Sequence, residues 1–269
     1  MPMGKTIGIF DSGVGGLTVA LEIHRLMPWA RIIYLGDNAN APYGGKDKDT
    51  LLKYGRDNIG FLLSKGAEAV VIACGTSSST TYANLKDEFS GIPVLDTITP
   101  GVDATARFAR DFPGARIVFA ATDATVGSGL FTKLMTEAGT GASIYERTCP
   151  MLAPMAEAGL HVSDSSPLVD FVIENYLGDL RGGVDALVLG CTHYPLFTSA
   201  FERLFGEIEI IDPAKSTAKA ASKLIFHEES TKALPEQPLT IYTNGPTEFF
   251  LKKAENILNK FNSHEIFPM

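Results

Sequence analysis

Residues Gly182 to Pro195 read Gly-Gly-Val-Asp-Ala-Leu-Val-Leu-Gly-Cys-Thr-His-Tyr-Pro. The apolar run Ala186 to Leu189 is bounded by glycines and followed by groups able to do chemistry, the pattern of a buried strand that ends at a site. The phrase recurs. Gly66 to Cys74 reads Gly-Ala-Glu-Ala-Val-Val-Ile-Ala-Cys, in register with Gly183 to Cys191, Gly-Val-Asp-Ala-Leu-Val-Leu-Gly-Cys. Two related halves, each ending a strand in a thiol, are therefore expected.

Working outward, strands and helices alternate. Strands are expected at 6–10, 31–35, 69–73, 93–96, 116–121, 143–147, 186–189, 207–211 and 239–243. Helices are expected at 17–27, 50–65, 81–89, a stretch ending near 110 after a crossing point between domains at 97–101, 128–138, 151–158, 167–180, 196–205, 213–226 and 247–261. The segment 36–45 is too rich in turn formers to be regular. This order predicts an α/β protein of two similar domains with mainly parallel sheets, related by a pseudo-twofold axis, with the site in the cleft between them. Residues 1–97 with 213–269 form the first expected domain, and 98–212 the second. In such sheets ligands lie beyond the carboxyl ends of the strands, where Cys74 and Cys191 fall.

Composition bounds the function. The 269 residues are 45% hydrophobic and 20% charged, with 23 basic and 31 acidic side chains and a net charge of −8. That balance repels polyanions and argues against nucleic-acid or anionic-membrane partners. The three cysteines are too few and too widely spaced for a disulfide framework. No apolar run approaches a membrane span, and Met1 to Asp11 lacks a signal pattern, so a cytoplasmic protein is expected.

A lone cysteine is more often a buried apolar residue than a reactive one. Two cysteines at equivalent positions of a repeat instead suit a pair flanking a small substrate. Cys149 has no counterpart and is read as packing. His193, two residues after Cys191, is placed to influence that thiol or to cap a turn. Asp11, ending the first strand, is placed to serve the other thiol or to form an Asx turn. His24, His161, His227 and His264 form no arrangement. The hydroxyls of Ser12, Thr76, Ser77, Thr122, Thr125 and Thr192, at expected strand ends, suit a small anionic ligand.

Three alternatives fail or weaken on spacing. Gly13-Val14-Gly15-Gly16 places Thr18 where the third glycine of a dinucleotide fingerprint belongs. The same turn lacks the Gly-Lys-Ser/Thr of a phosphate loop. Cys74, Cys191 and His193 lack the paired spacing of a zinc site, so no metal is expected.

Asp11-Ser12-Gly13-Val14-Gly15-Gly16-Leu17, Asp37 with Pro42-Tyr43-Gly44, Ala73-Cys74 with Thr76, Thr122 with Thr125, and Gly190-Cys191-Thr192-His193-Tyr194-Pro195 together resemble the glutamate racemases, within the aspartate/glutamate racemase superfamily. The resemblance implies a cofactor-independent enzyme interconverting L- and D-glutamate and supplying D-glutamate for peptidoglycan. It implies Cys74 and Cys191 as the acid/base pair, with Asp11, His193 and Glu157 assisting. Ser12, Pro42, Tyr43, Gly44, Gly75, Thr76, Thr122, Thr125 and Thr192 would line the substrate. One position departs: the family usually carries asparagine where Gly75 stands, leaving Ser77 and Ser78 as nearby hydroxyls to replace it. That difference bears on substrate identity more than on reaction type. Alternatives are a racemase of a related amino acid and a non-catalytic descendant binding a small acid. Apolar stretches on the helices suit either a homodimer contact or the core.

Overall fold

A computed structural model describes residues 5–162, 166–225, 234–261 and 264–269. His227, the expected helix end at Phe226 and residues 1–4 of the N-terminal reading lie outside the described residues. The strands are β1 (Thr6–Asp11), β2 (Arg31–Gly36), β3 (Ala69–Ile72), β4 (Val94–Leu95), β5 (Arg116–Ala121), β6 (Ser143–Thr148), β7 (Ala186–Leu189), β8 (Glu209–Ile211), β9 (Leu239–Thr243) and β10 (His264–Pro268). They form a six-stranded sheet, β10-β9-β2-β1-β3-β4, and a four-stranded sheet, β6-β5-β7-β8. Every pairing is parallel.

The order β2-β1-β3-β4 in one sheet repeats as β6-β5-β7-β8 in the other. The internal echo of the sequence is thus a structural repeat, with β3 and β7 as equivalent strands. In each sheet the chain runs first to one side and then to the other of β1 or β5. This leaves a crevice between β1 and β3, and between β5 and β7, at their carboxyl ends. Asp11 and Cys74 fall at the first switch point, Thr122 and Cys191 at the second.

Helices cover both faces of each sheet, so the strands are continuous apolar runs rather than alternating ones. Along β1 and β2, Ile7, Ile9, Ile32 and Tyr34 enter the core on one face, and Phe10, Ile33 and Leu35 on the other. Along β5 and β7, Val118, Ala120, Leu187 and Leu189 point to one face, and Ile117, Phe119, Ala186 and Val188 to the other. Burying both faces excludes water from the sheet centres and leaves the strand ends as the accessible surface.

Several boundaries differ from expectation. The helix expected at 81–89 runs Gly75–Glu88, starting directly after Cys74. Its hydroxyl-rich first turns read as a loop, but Ser79 and Thr80 donate to the Thr76 carbonyl and Thr81 to the Ser77 carbonyl, which satisfies them within the helix. The helix expected at 128–138 runs Leu130–Glu137, and a separate short helix, Asp123–Gly127, precedes it, the two parted at Gly129 with φ of 62°. A tenth strand, His264–Pro268, escaped the sequence reading. It is a short edge strand of exposed and half-buried residues ending in proline, without the apolar signal of a central strand.

Candidate active site

A cleft of about 590 Å³ opens between the carboxyl ends of the two sheets. Of the fourteen residues that the resemblance assigns to the site, thirteen line it: Ser12, Pro42, Tyr43, Gly44, Cys74, Gly75, Thr76, Thr122, Thr125, Glu157, Cys191, Thr192 and His193. Asp11 does not. It is fully buried behind the cleft wall.

Asp11 ends β1, and its carboxylate ties the wall together. Oδ1 accepts the Gly13 N–H at 2.9 Å, an Asx turn, and Oδ2 accepts the Thr192 hydroxyl at 3.0 Å from the other half. Burial raises its carboxyl above the usual range, opposed by the His193 charge and these two hydrogen bonds. Thr18 repeats the cross-half link, donating to the Thr192 carbonyl at 3.2 Å. On another wall the hydroxyls of Thr76 and Thr122 meet at 3.1 Å, and those of Thr122 and Thr125 at 2.9 Å, joining the two halves.

The two sulfurs differ in surroundings. Cys74 stands at the N-terminal cap position of the helix Gly75–Glu88, without a side-chain capping bond, and is buried. Burial, then the Asp11 charge, pushes its thiol up to about 12, although backbone N–H groups of Ser77 and Thr76 oppose this. Cys191 follows β7 and lies 3.8 Å from Nδ1 of His193. Nε2 of the same imidazole is 2.8 Å from Oε1 of Glu157. Burial disfavours the imidazolium, but the contacts with Cys191 and then Glu157 outweigh it and raise His193 to about 10. Burial would likewise raise the Glu157 carboxyl, yet the His193 and Lys253 contacts hold it at about 2. The equivalent thiols thus have different neighbours: His193 stands beside Cys191, and the Asp11 charge acts on Cys74.

The loop Pro42-Tyr43-Gly44 is held from behind. The Tyr43 hydroxyl donates to Asp37 and accepts from Asn58 at 3.0 Å, while Asn40 and Asn244 donate to the same Asp37 carboxylate. Tyr43 is buried, and that burial together with the Asp37 charge pushes its phenol far up, so it remains a neutral donor.

Gly75 and Gly190 bring the backbones of the two cysteine loops close together. A Cβ placed at residue 75 would stand 2.5 Å from the Gly190 carbonyl oxygen. No asparagine-like side chain fits there without displacing backbone. Ser77 and Ser78 do not compensate, because neither lines the cleft: both are buried, and Ser78 donates to the Ile72 carbonyl. Cys149 is buried in the core of the second half and does not line the cleft.

Sequence reasoning missed Lys253, which lines the cleft from the helix Thr247–Leu258 and lies 2.7 Å from Oε2 of Glu157. Nothing in its local sequence marks it, since it belongs to an ordinary amphipathic helix. Asn38 and Asp123 also reach the cleft. Among the described residues, no three His, Cys, Asp or Glu side chains are grouped to hold a metal ion. No helix in the described residues is long and apolar enough to cross a membrane.

The family model for Asp/Glu/Hydantoin racemase matches residues 26–221. The chain is 39% identical to the glutamate racemase of Desulforudis audaxviator, over 95% of this chain and 94% of that relative. It is 37% identical to the enzyme of Aquifex pyrophilus, over 84% and 85%. The fold matches the crystal structure of glutamate racemase from Francisella tularensis in complex with D-glutamate, with a TM-score of 0.86 and 28% identity, covering 100% of this chain and 98% of that one. With two equivalent sulfurs in a cleft between two matching sheets, and with relatives alike over nearly their whole length, the chain belongs to the Asp/Glu/Hydantoin racemase family and groups within it with the glutamate racemases, the amino-acid racemases.

Proposed function

We propose that this protein interconverts L- and D-glutamate by deprotonation and reprotonation at Cα, with Cys74 and Cys191 as the two acid/base groups and no cofactor. The observation carrying this reading is the placement of two sulfurs at equivalent ends of β3 and β7, both lining one cleft. Inverting a stereocentre this way requires a base on one face and an acid on the other. In one direction the Cys191 thiolate, with the His193 imidazolium beside it, takes the α-proton. The carbon–hydrogen electron pair remains on Cα, and the Cys74 thiol delivers its proton to the opposite face. The reverse reaction exchanges the roles.

The surroundings support this assignment. Cys74, pushed up to about 12, is protonated at neutral pH and ready to donate. Hydroxyls of Ser12, Thr76, Thr122 and Thr125 line the cleft as donors for carboxylates, and donors already in place stabilise developing negative charge without reorganising, while Thr192 and Tyr43, whose hydroxyl protons go to Asp11 and Asp37, hold the wall in shape. Pro42, Gly44 and Gly75 shape the wall. Asp11, Glu157 and His193 hold the thiol neighbourhood rather than touch Cα. We assign residues 1–97 and 213–269 to one domain and 98–212 to the other, place the enzyme in the cytoplasm, and place its product in peptidoglycan synthesis.

The test is proton NMR of L-glutamate with the purified protein in deuterium oxide, paired with chiral analysis. Loss of the α-proton signal with appearance of D-glutamate is expected. A folded protein that exchanges no α-proton of glutamate refutes the reading. Exchange confined to another amino acid would make it a racemase of that acid.

A further inference from the structure

Lys253 is the only lysine or arginine lining the cleft among the described residues. It stands on the helix Thr247–Leu258, whose Phe250, Ala254, Ile257 and Leu258 pack into the core beside β1 and β2. Glu157 stands on the helix Leu152–Glu157, whose Leu152, Met155 and Ala156 pack into the core of the other half. The Lys253–Glu157 contact at 2.7 Å therefore crosses from one half to the other. The carboxylate is shared: one oxygen takes Lys253, and the other takes His193 at 2.8 Å.

We propose that Lys253 is a positioning residue that reaches across the cleft, fixes Glu157 against His193, and thereby holds the imidazole on Cys191 when the two halves are together. This inference rests on the two-thiol reading above. A carboxylate accepting from a single partner can rotate away from it, whereas one gripped at both oxygens presents a fixed acceptor. The side chains of Lys253 and Glu157 are 33% and 23% exposed, and a pair this accessible contributes little to stability, so its effect falls on orientation and charge. Asp11, Cys74, Cys149, His161 and Tyr194 also interact electrostatically with Cys191 or His193. Among all these groups Lys253 is the only lysine. Without it, the Glu157 carboxylate loses one of the two contacts that hold its proton affinity down.

The test compares Lys253→Met, Lys253→Gln and Lys253→Arg with the parent protein, each checked for folding by thermal melting. Two readouts are taken: the pH profile of kcat/KM for glutamate, and peptide-resolved alkylation of Cys191 by iodoacetamide at pH 7. In the Met and Gln variants both limbs of the profile are expected to move up by roughly half a pH unit, and alkylation to slow about threefold. The Arg variant, which keeps charge and reach, is expected to restore both. Unmoved limbs and unchanged alkylation in Met and Gln overturn the proposal, as does equal impairment in Arg. Alkylation does not require turnover, so absence of racemisation in the parent sinks the two-thiol reading without deciding the role of Lys253.

Discussion

Replacing Gly75 tests whether the separation of the two cysteine loops is set by backbone contact. A Cβ at residue 75 would stand 2.5 Å from the Gly190 carbonyl oxygen, where ordinary contact begins near 3.4 Å, so the backbones must part by about 0.9 Å. Gly190 cannot simply retreat. Its N–H donates to the Ala120 carbonyl at 2.7 Å, and its own Cβ direction is occupied by Phe119 and Ala121 at 2.5 to 2.7 Å. The displacement therefore passes to the loops carrying Cys74 and Cys191. Overpacking of this kind costs about 1–3 kcal/mol, and a 1 Å misplacement of reacting groups costs on the order of 100-fold in rate. Gly75→Ala is expected to lower kcat/KM for glutamate by between about 10- and 100-fold, measured by polarimetry. Gly75→Asn introduces the family's usual residue and is expected to be no better than Ala, because the clash begins at Cβ. Native kcat/KM and melting temperature in Gly75→Ala, or a gain in Gly75→Asn, would refute the reasoning.

Three further outcomes follow from the same geometry. Cys74→Ser and Cys191→Ser should each abolish steady-state racemisation while leaving the fold intact, read by chiral chromatography and circular dichroism; substantial turnover in either contradicts the two-thiol mechanism. Thr192→Val removes the hydroxyl that Asp11 accepts at 3.0 Å from the other half, leaving a buried carboxylate oxygen short of a partner, and should lower stability by about 1–3 kcal/mol in urea denaturation. His193, raised to about 10 from an ordinary 6.5, contributes stability that is fully present below pH 6.5 and lost as pH rises through 10. Glu157, held at about 2 against an ordinary 4.5, contributes stability present above pH 4.5 and lost as pH falls toward 2. Melting curves of His193→Gln should therefore decline less steeply than the parent between pH 6.5 and 10, and an identical decline counts against the pairing.

The sequence by itself determined the repeat, the α/β class and most of the residues that line the cleft. Buried parallel strands are continuous apolar runs, and ligand groups follow their carboxyl ends, so Ala69–Cys74 and Ala186–Cys191 disclose locally the fold and the place of its cleft. It misplaced the start of the helix at Gly75, because a run of serine and threonine signals a loop until its hydroxyls are known to bond back to helix carbonyls. It passed over the edge strand β10, whose residues lack a two-sided apolar signal. Contacts between residues far apart in the chain were decided only by the tertiary structure. Asp11 is withdrawn from the cleft to bind Thr192, Gly75 stands against Gly190, and Lys253 crosses to Glu157. Each depends on how the two halves meet, and that is fixed by packing across distant segments rather than by any local pattern.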